Sequence, residues 1–237
     1  MRLLVTRPKP DAERTATALR AQGHAVTIAP LLRIEAVADA EIGAGPWAAI
    51  LVTSANAARA IAAHKSFSEL RALPVLAVGE KSAQAMRDVG FNNVSSADGG
   101  VDDLVRLAAE RLQPGTQLLY LAGADRSGDL PGALGAHKFT VRVVVIYRAV
   151  AVNGLSGADT RAIAAGIDGV LHFSRRSAET FVKVARQAGL LDPALKEPVH
   201  FCLSAQVGEP LAQAGATDVR VAREPAEAAL LALIPAA

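Results

Sequence analysis

The amino-acid sequence predicts an α/β protein built of two parallel-sheet α/β domains, the first of them discontinuous, joined by a two-stranded linker. Three features carry that expectation. Short apolar runs alternate with longer stretches of helical periodicity, as in βαβ units. The runs are apolar almost throughout, without strict polar alternation, so the strands they form need cover on both faces and belong between helix layers. The second half of the chain also echoes the first, which is the mark of a duplicated α/β half.

Taken in order, RLLVT (2–6) is the first strand candidate and AVTIA (25–29) the second. PLLRIEAV (30–37) follows with no helix signal in between, so it reads as an extended crossover segment. AAILVT (48–53), VLAV (75–78) and QLLYL (117–121) come next, then VRVVVIYRAV (141–150), DGVLHF (168–173), VHFCL (199–203) and DVRV (218–221). Helices fill most of the gaps, and Gly, Pro, Ser or Asp often marks the boundaries. A shift of 115 sets Leu19 over Leu134, Leu32 over Tyr147 and Arg33 over Arg148. A shift of 120 sets Ser54 over Ser174, and one of 125 sets Gly90 over Gly215 and Val94 over Val219. PLLRIEAV then has the end of VRVVVIYRAV as its partner, and two extended segments that pair make a crossover. The expected organisation is a discontinuous domain of residues 1–34 and 150–237, a second domain of residues 37–147, and linker strands near 31–36 and 146–150.

Composition narrows the function. The 237 residues suit two domains of about 110 each. Hydrophobic residues make up 51% and charged residues 20%, a globular makeup with enough apolar surface for a core. A net charge of +2 without long basic runs argues against a nucleic-acid partner. The single cysteine, Cys202, excludes an intrachain disulfide framework and suits a reducing compartment. The start MRLLVTRPKP has too short an apolar run for a signal peptide, and no stretch reaches the ~18 apolar residues of a membrane span. A cytoplasmic monomer away from membranes is expected. His24, His64, His137, His172 and His200 are dispersed without metal-site spacing, so no metal is expected, and His172 and His200 read as satisfied core residues inside strands. No dinucleotide or phosphate-loop fingerprint occurs, and GGVDD (99–103) is a loop entering a helix.

The segments LLVTRP (3–8), LVTSANA (51–57), LAVGEKSAQAMRDVGF (76–91), VVVIYRAV (143–150), LHFSRRSAETF (171–181) and CLSAQVGEPLAQAG (202–215) matter through their order and spacing. Together they make the sequence resemble the uroporphyrinogen-III synthase family over essentially its whole length. That resemblance implies a bilobal enzyme with its active site in the interdomain cleft and a cofactor-free reaction. Linear hydroxymethylbilane is closed into a macrocycle, the terminal pyrrole ring is inverted and water is released. Where the family often has a Gly-x-Thr turn this chain has Ser204, Ala205, Gln206 and Val207, so a threonine contact gives way there to a backbone one.

The expected substrate is a polycarboxylate and the chain has little net charge, so binding must come from local geometry. In open α/β sheets ligands sit beyond the strand carboxyl ends, where helix N-termini present free N–H groups. Thr53, Ser54 and Asn56 at one such end, and Ser174 and Ser177 at another, read either as carboxylate ligands or as ordinary N-caps. Gly79, Ser82, Ser204 and Gln206 occupy comparable turns, with Lys81 and Arg126 as weaker candidates. Arg7 and Arg175, with Arg176 beside it, are candidate carboxylate clamps, or in the arginine pair a solvated helix start. Tyr147 stands apart. The chain has only two tyrosines, the other being Tyr120, and the repeat partner of Tyr147 is a leucine, so packing does not demand a phenol there. Its position matches the family's active-site tyrosine, which implies a general acid that helps the hydroxyl depart from the substrate as the azafulvene forms. The alternative is a linker tyrosine that packs its ring. From another functional class, a non-catalytic two-lobed small-anion binding protein shares the same helix-terminus donors.

Overall fold

The computed structural model describes residues 1–9, 11–126 and 128–236. In chain order the elements are β1 (Arg2–Val5), α1 (Asp11–Ala21), β2 (Ala25–Ile28), β3 (Leu32–Ala36), β4 (Ala49–Val52), α2 (Ala55–Ala62), α3 (Phe67–Leu70), β5 (Val75–Ala77), α4 (Glu80–Asp88), β6 (Val94–Ser96) and α5 (Val101–Arg111). They continue with β7 (Gln117–Gly123), α6 (Leu130–Ala136), β8 (Thr140–Ala151), α7 (Gly157–Ala164), β9 (Gly169–His172), α8 (Arg175–Gln187), α9 (Leu191–Leu195), β10 (Val199–Cys202), α10 (Ala205–Gln213), β11 (Val219–Val221) and α11 (Glu227–Leu231). Contacts divide the chain into two compact units, Met1–Arg33 with Val150–Ala237, and Ile34–Ala149.

The first unit holds a sheet in the order β11-β10-β9-β1-β2, with each of its described pairs parallel. Leu4 and Val170 face one core with Phe181 and Leu211, while their neighbours Leu3, Val5 and Leu171 face another with Leu19 and Leu230. That division explains why β9 is buried along its whole length. Its side chains alternate between two apolar layers instead of between core and water. Helix α8 closes one layer with the face carrying Ala178, Phe181, Val184 and Ala185. Each fully buried Leu or Phe stabilises such a layer by roughly 1.5–3 kcal/mol.

The second unit follows the same plan. Its sheet runs β3-β8-β7-β4-β5-β6, with β7, β4, β5 and β6 parallel to their neighbours and β8 parallel to β7. Ile50 and Val52 face the layer with Ile61 and Met86, while Ala49 and Leu51 face the layer with Leu104 and Leu134. The expected α/β class with two largely parallel sheets therefore holds.

The internal repeat is visible in backbone geometry. Ser54 and Ser174 cap α2 and α8 with nearly the same dihedrals, φ −154° and −152°. Gly90 and Gly215 close α4 and α10 in the left-handed region, at φ +106° and +101°. A non-glycine residue is strained there, which is why both copies carry glycine. Two local expectations need correction. Residues 94–96, which carry no strand expectation of their own, form the edge strand β6, and QLLYL continues to Gly123.

Candidate active site

The carboxyl ends of β4 and β7, together with Tyr147 from within β8, line a cavity of about 690 Å³ in the second unit, with Thr53, Ser54, Tyr120, Gly123 and Asp125 among its walls. In open α/β sheets such a cavity lies beyond the strand carboxyl ends, where the loops leave the sheet. Both tyrosines of the chain stand here, each tied to one of two consecutive hydroxyl residues. Tyr120 is buried, and its hydroxyl lies 2.8 Å from Thr53 Oγ1. Tyr147 is half-buried and takes a hydrogen bond from Ser54.

Ser54 serves two purposes. Its Oγ accepts from the Asn56 backbone N–H at 3.2 Å as the N-cap of α2, and its hydroxyl supports the phenol. The pKa of Tyr147 is raised from its ordinary value, chiefly because burial penalises the phenolate. The Ser54 bond works the other way, while the neighbouring Tyr120 and Asp125 add to the rise. At neutral pH the phenol is thus a proton donor facing a cavity. The Asn56 side chain is taken up by the Arg59 guanidinium and its backbone N–H by Ser54 Oγ, so both ends of this residue are engaged within the helix start. Gly79 caps α4 in extended conformation with open space where a Cβ would stand, and its neighbour Val78 lines the cavity. Ser82 is buried in the first turn of α4.

In the first unit, the expected site residues also fall at strand carboxyl ends. Ser174 Oγ accepts from Ser177 N–H at 3.1 Å and donates to Ser177 Oγ at 2.9 Å, so here the capping role is realised. Ser204 caps α10 without a side-chain bond to the helix, and Gln206 is exposed in its first turn. Arg7 is mostly buried and neutralised within the protein. It pairs with Asp11 at 3.3 Å and Glu227 at 3.0 Å, and its guanidinium stacks 4.2 Å from the Phe173 ring centroid. Arg175 is exposed and pairs with Glu179 at 2.9 Å and Glu209 at 2.6 Å. The charge of both arginines is already partnered by carboxylates.

The histidines correct one expectation. His172 and His200 are far apart in sequence but adjacent on β9 and β10, where His172 Nε2 lies 3.1 Å from His200 Nδ1. His200 Nε2–H donates to the Leu195 carbonyl at 3.2 Å, so its Nδ1 accepts from His172, and His172 Nδ1 is left buried without a partner. The pair is core, but not a fully satisfied one. Sequence reasoning also missed Gly123, Asp125 and the participation of Tyr120. The signal for Tyr120 was present, since a second phenol within an apolar run is as conspicuous as the first.

The family model described as Uroporphyrinogen-III synthase HemD matches residues 13–232. Among solved structures, the uroporphyrinogen-III synthetase of Helicobacter pylori is similar at a TM-score of 0.65 and 18% identity, with 98% of each chain covered. A mutant uroporphyrinogen III synthase of Thermus thermophilus is similar at a TM-score of 0.48 and 17% identity, covering 98% of this chain and 96% of that one. Comparison with curated proteins gives no match to this sequence.

Proposed function

The chain belongs to the uroporphyrinogen-III synthase family, and from that premise we propose that the cavity around Tyr147 is where the hydroxyl of hydroxymethylbilane departs. The family's activity is that of a cyclising lyase of heme biosynthesis acting on hydroxymethylbilane. The observation that carries the site is the Tyr147 phenol on a cavity wall, hydrogen-bonded to Ser54 on the same wall.

The Tyr147 O–H donates to the departing hydroxyl oxygen. The C–O bond breaks, water leaves, and the pyrrole electrons stabilise the resulting azafulvenium cation. Closure of the ring later releases a proton from the attacked pyrrole carbon, which restores the phenol. Asp125 contributes negative charge on the same cavity wall, where a cationic intermediate is favoured. Backbone N–H groups at the starts of α2 and α4, with Thr53, Asn56, Gly79 and Ser82 around them, provide carboxylate donors in this unit. Ser174, Ser177, Ser204 and Gln206 do so in the other. Arg7 and Arg175 contribute less, because their charges are partnered internally.

We further infer a cytoplasmic monomer with no nucleic-acid or membrane partner and no cofactor requirement. The near-neutral net charge of +2 and the lone, buried Cys202 support that reading. No described helix is long and apolar enough to cross a membrane. A non-catalytic small-anion binder finds no support in the family match. Enzymatically generated hydroxymethylbilane supplies the test. It closes spontaneously to the uninverted isomer I, so the protein is expected to enrich isomer III over a no-protein control. An unchanged isomer ratio would sink the assignment.

A further inference from the structure

We infer that Gly123, facing a one-residue bulge in β8, is the positioning residue that sets where the Tyr147 phenol stands. This inference rests on the reading of Tyr147 as the acid. Strands β7 and β8 pair in parallel from Gln117↔Thr140 to Ala122↔Val145, and the next partners are Gly123↔Tyr147, so Ile146 is an extra residue on β8. Beyond it the ladder is secured by Ala124 N–H donating to the Tyr147 carbonyl at 3.0 Å.

The bulge decides the face. Val141 and Val143 pack against the layer that contains Leu118 and Phe139, and strict alternation would put Tyr147 on that same side. Tyr147 instead packs against the opposite layer, the one containing its neighbour Ile146. An inserted residue that re-aims a side chain beside a site is a recognised use of a bulge.

Gly123 then supplies the room. A Cβ on Gly123 would lie 2.7 Å from both Cε2 and Cζ of Tyr147 and 2.8 Å from its hydroxyl. These are distances that no unshifted carbon contact allows. The backbone of Gly123 is not in the left-handed region, so conformation alone would admit alanine. The glycine is needed for space, because the ring lies against its Cα. A methyl group there displaces the ring from its place against Gly123, within the cavity that both residues line. The ring is the movable end of a side chain and has open volume to enter. The fold therefore tolerates the substitution better than the chemistry does.

The test is a cycle of Gly123→Ala, Tyr147→Phe and the double variant, assayed for kcat and KM with enzymatically made hydroxymethylbilane. Displacing a reacting group by about 1 Å can cost on the order of 10²-fold in rate, so Gly123→Ala is expected to lower kcat by roughly 10- to 100-fold with KM little changed. In the Tyr147→Phe background the same change should cost no more than about twofold, since the group it displaces is gone. A spectroscopic readout accompanies the rates. In a Tyr120→Phe background Tyr147 is the only tyrosine, and its ionisation at alkaline pH is expected to fall toward the ordinary phenol value of ~10 when Gly123→Ala is added, because entry into open volume relieves the burial that chiefly raises it. If Gly123→Ala lowers Tm, it should lower it less in a Tyr147→Ala chain than in the wild type, because the ring is what the methyl strikes; an equal loss in both would overturn the inference. So would a wild-type rate in Gly123→Ala alongside a slow Tyr147→Phe, equal losses in both backgrounds, or an unmoved titration. Full activity in Tyr147→Phe would instead remove the acid role, and the positioning role with it.

Discussion

Acid should loosen the first unit through its buried histidine pair. Burial pushes the His200 pKa from 6.5 down to about 4, with the Leu195 hydrogen bond and Asp218 opposing only in part. His172, wholly buried, is shifted the same way by burial and by His200. A pKa lowered by folding contributes stability that is complete above the unfolded value and disappears as pH falls through the window toward the folded one. For His200 that window runs from 6.5 to about 4. Linkage puts the loss between pH 7.5 and pH 5 at about 2 kcal/mol for His200 alone, and His172 adds loss of the same sign. A protein of two units need not unfold in one step, so the suitable assay is hydrogen exchange of the β9 and β10 amides, corrected for intrinsic rates, at both pH values. His200→Gln does not titrate, and its amide can still donate to the Leu195 carbonyl. It is expected to reduce the acid-induced loss by about 2 kcal/mol. Equal losses in wild type and variant would show that the pair does not govern acid lability.

Thr53→Val should cost about 1–3 kcal/mol by stranding the buried Tyr120 hydroxyl, and adding Tyr120→Phe should recover most of it; urea unfolding measures both. Arg7→Met removes one of the two arginine partners of Asp11 and Glu227, the other being Arg14, and the stack on Phe173, so stability should drop by about 1–3 kcal/mol while KM for hydroxymethylbilane hardly moves. A large rise in KM without a fall in Tm would restore Arg7 as a substrate clamp. Ser174→Ala is expected to lose about 1 kcal/mol of stability as its cap bond goes, whereas Ser204→Ala, whose hydroxyl makes no cap bond, should change stability little and show itself in KM.

Periodicity and apolar runs were sufficient for the α/β class and for most strands, because strands buried on both faces cannot hide their composition. Strand β6 escaped notice because VSS carries only one apolar residue at the sheet edge, although the repeat that sets Val94 over Val219 pointed to it. Tyr147 was legible as an anomaly, a phenol where the repeat has leucine. Gly123 was not legible. Its importance depends on a register shift between β7 and β8, and no single-strand pattern reports pairing. The internal pairing of Arg175 was half visible in the i,i+4 spacing to Glu179, but its second partner, Glu209, comes from another helix. His172 and His200 illustrate the same limit, since 28 residues of sequence separate side chains that adjacent parallel strands bring together.

The role of Tyr147 is decided by single-turnover and steady-state rates of Tyr147→Phe with fresh hydroxymethylbilane, the products being separated into isomers I and III. Removing one hydroxyl from a half-buried ring leaves the packing intact, so Tm should hardly change. Loss of general acid assistance is worth ~10²–10⁴-fold, and the lower part of that range is expected because the hydroxyl leaves readily on its own. Residual product should still be isomer III, since the cavity and its backbone donors continue to hold the chain. A phenylalanine variant that turns over at the wild-type rate would take the phenol out of the chemistry and leave the cavity's backbone donors as the catalyst.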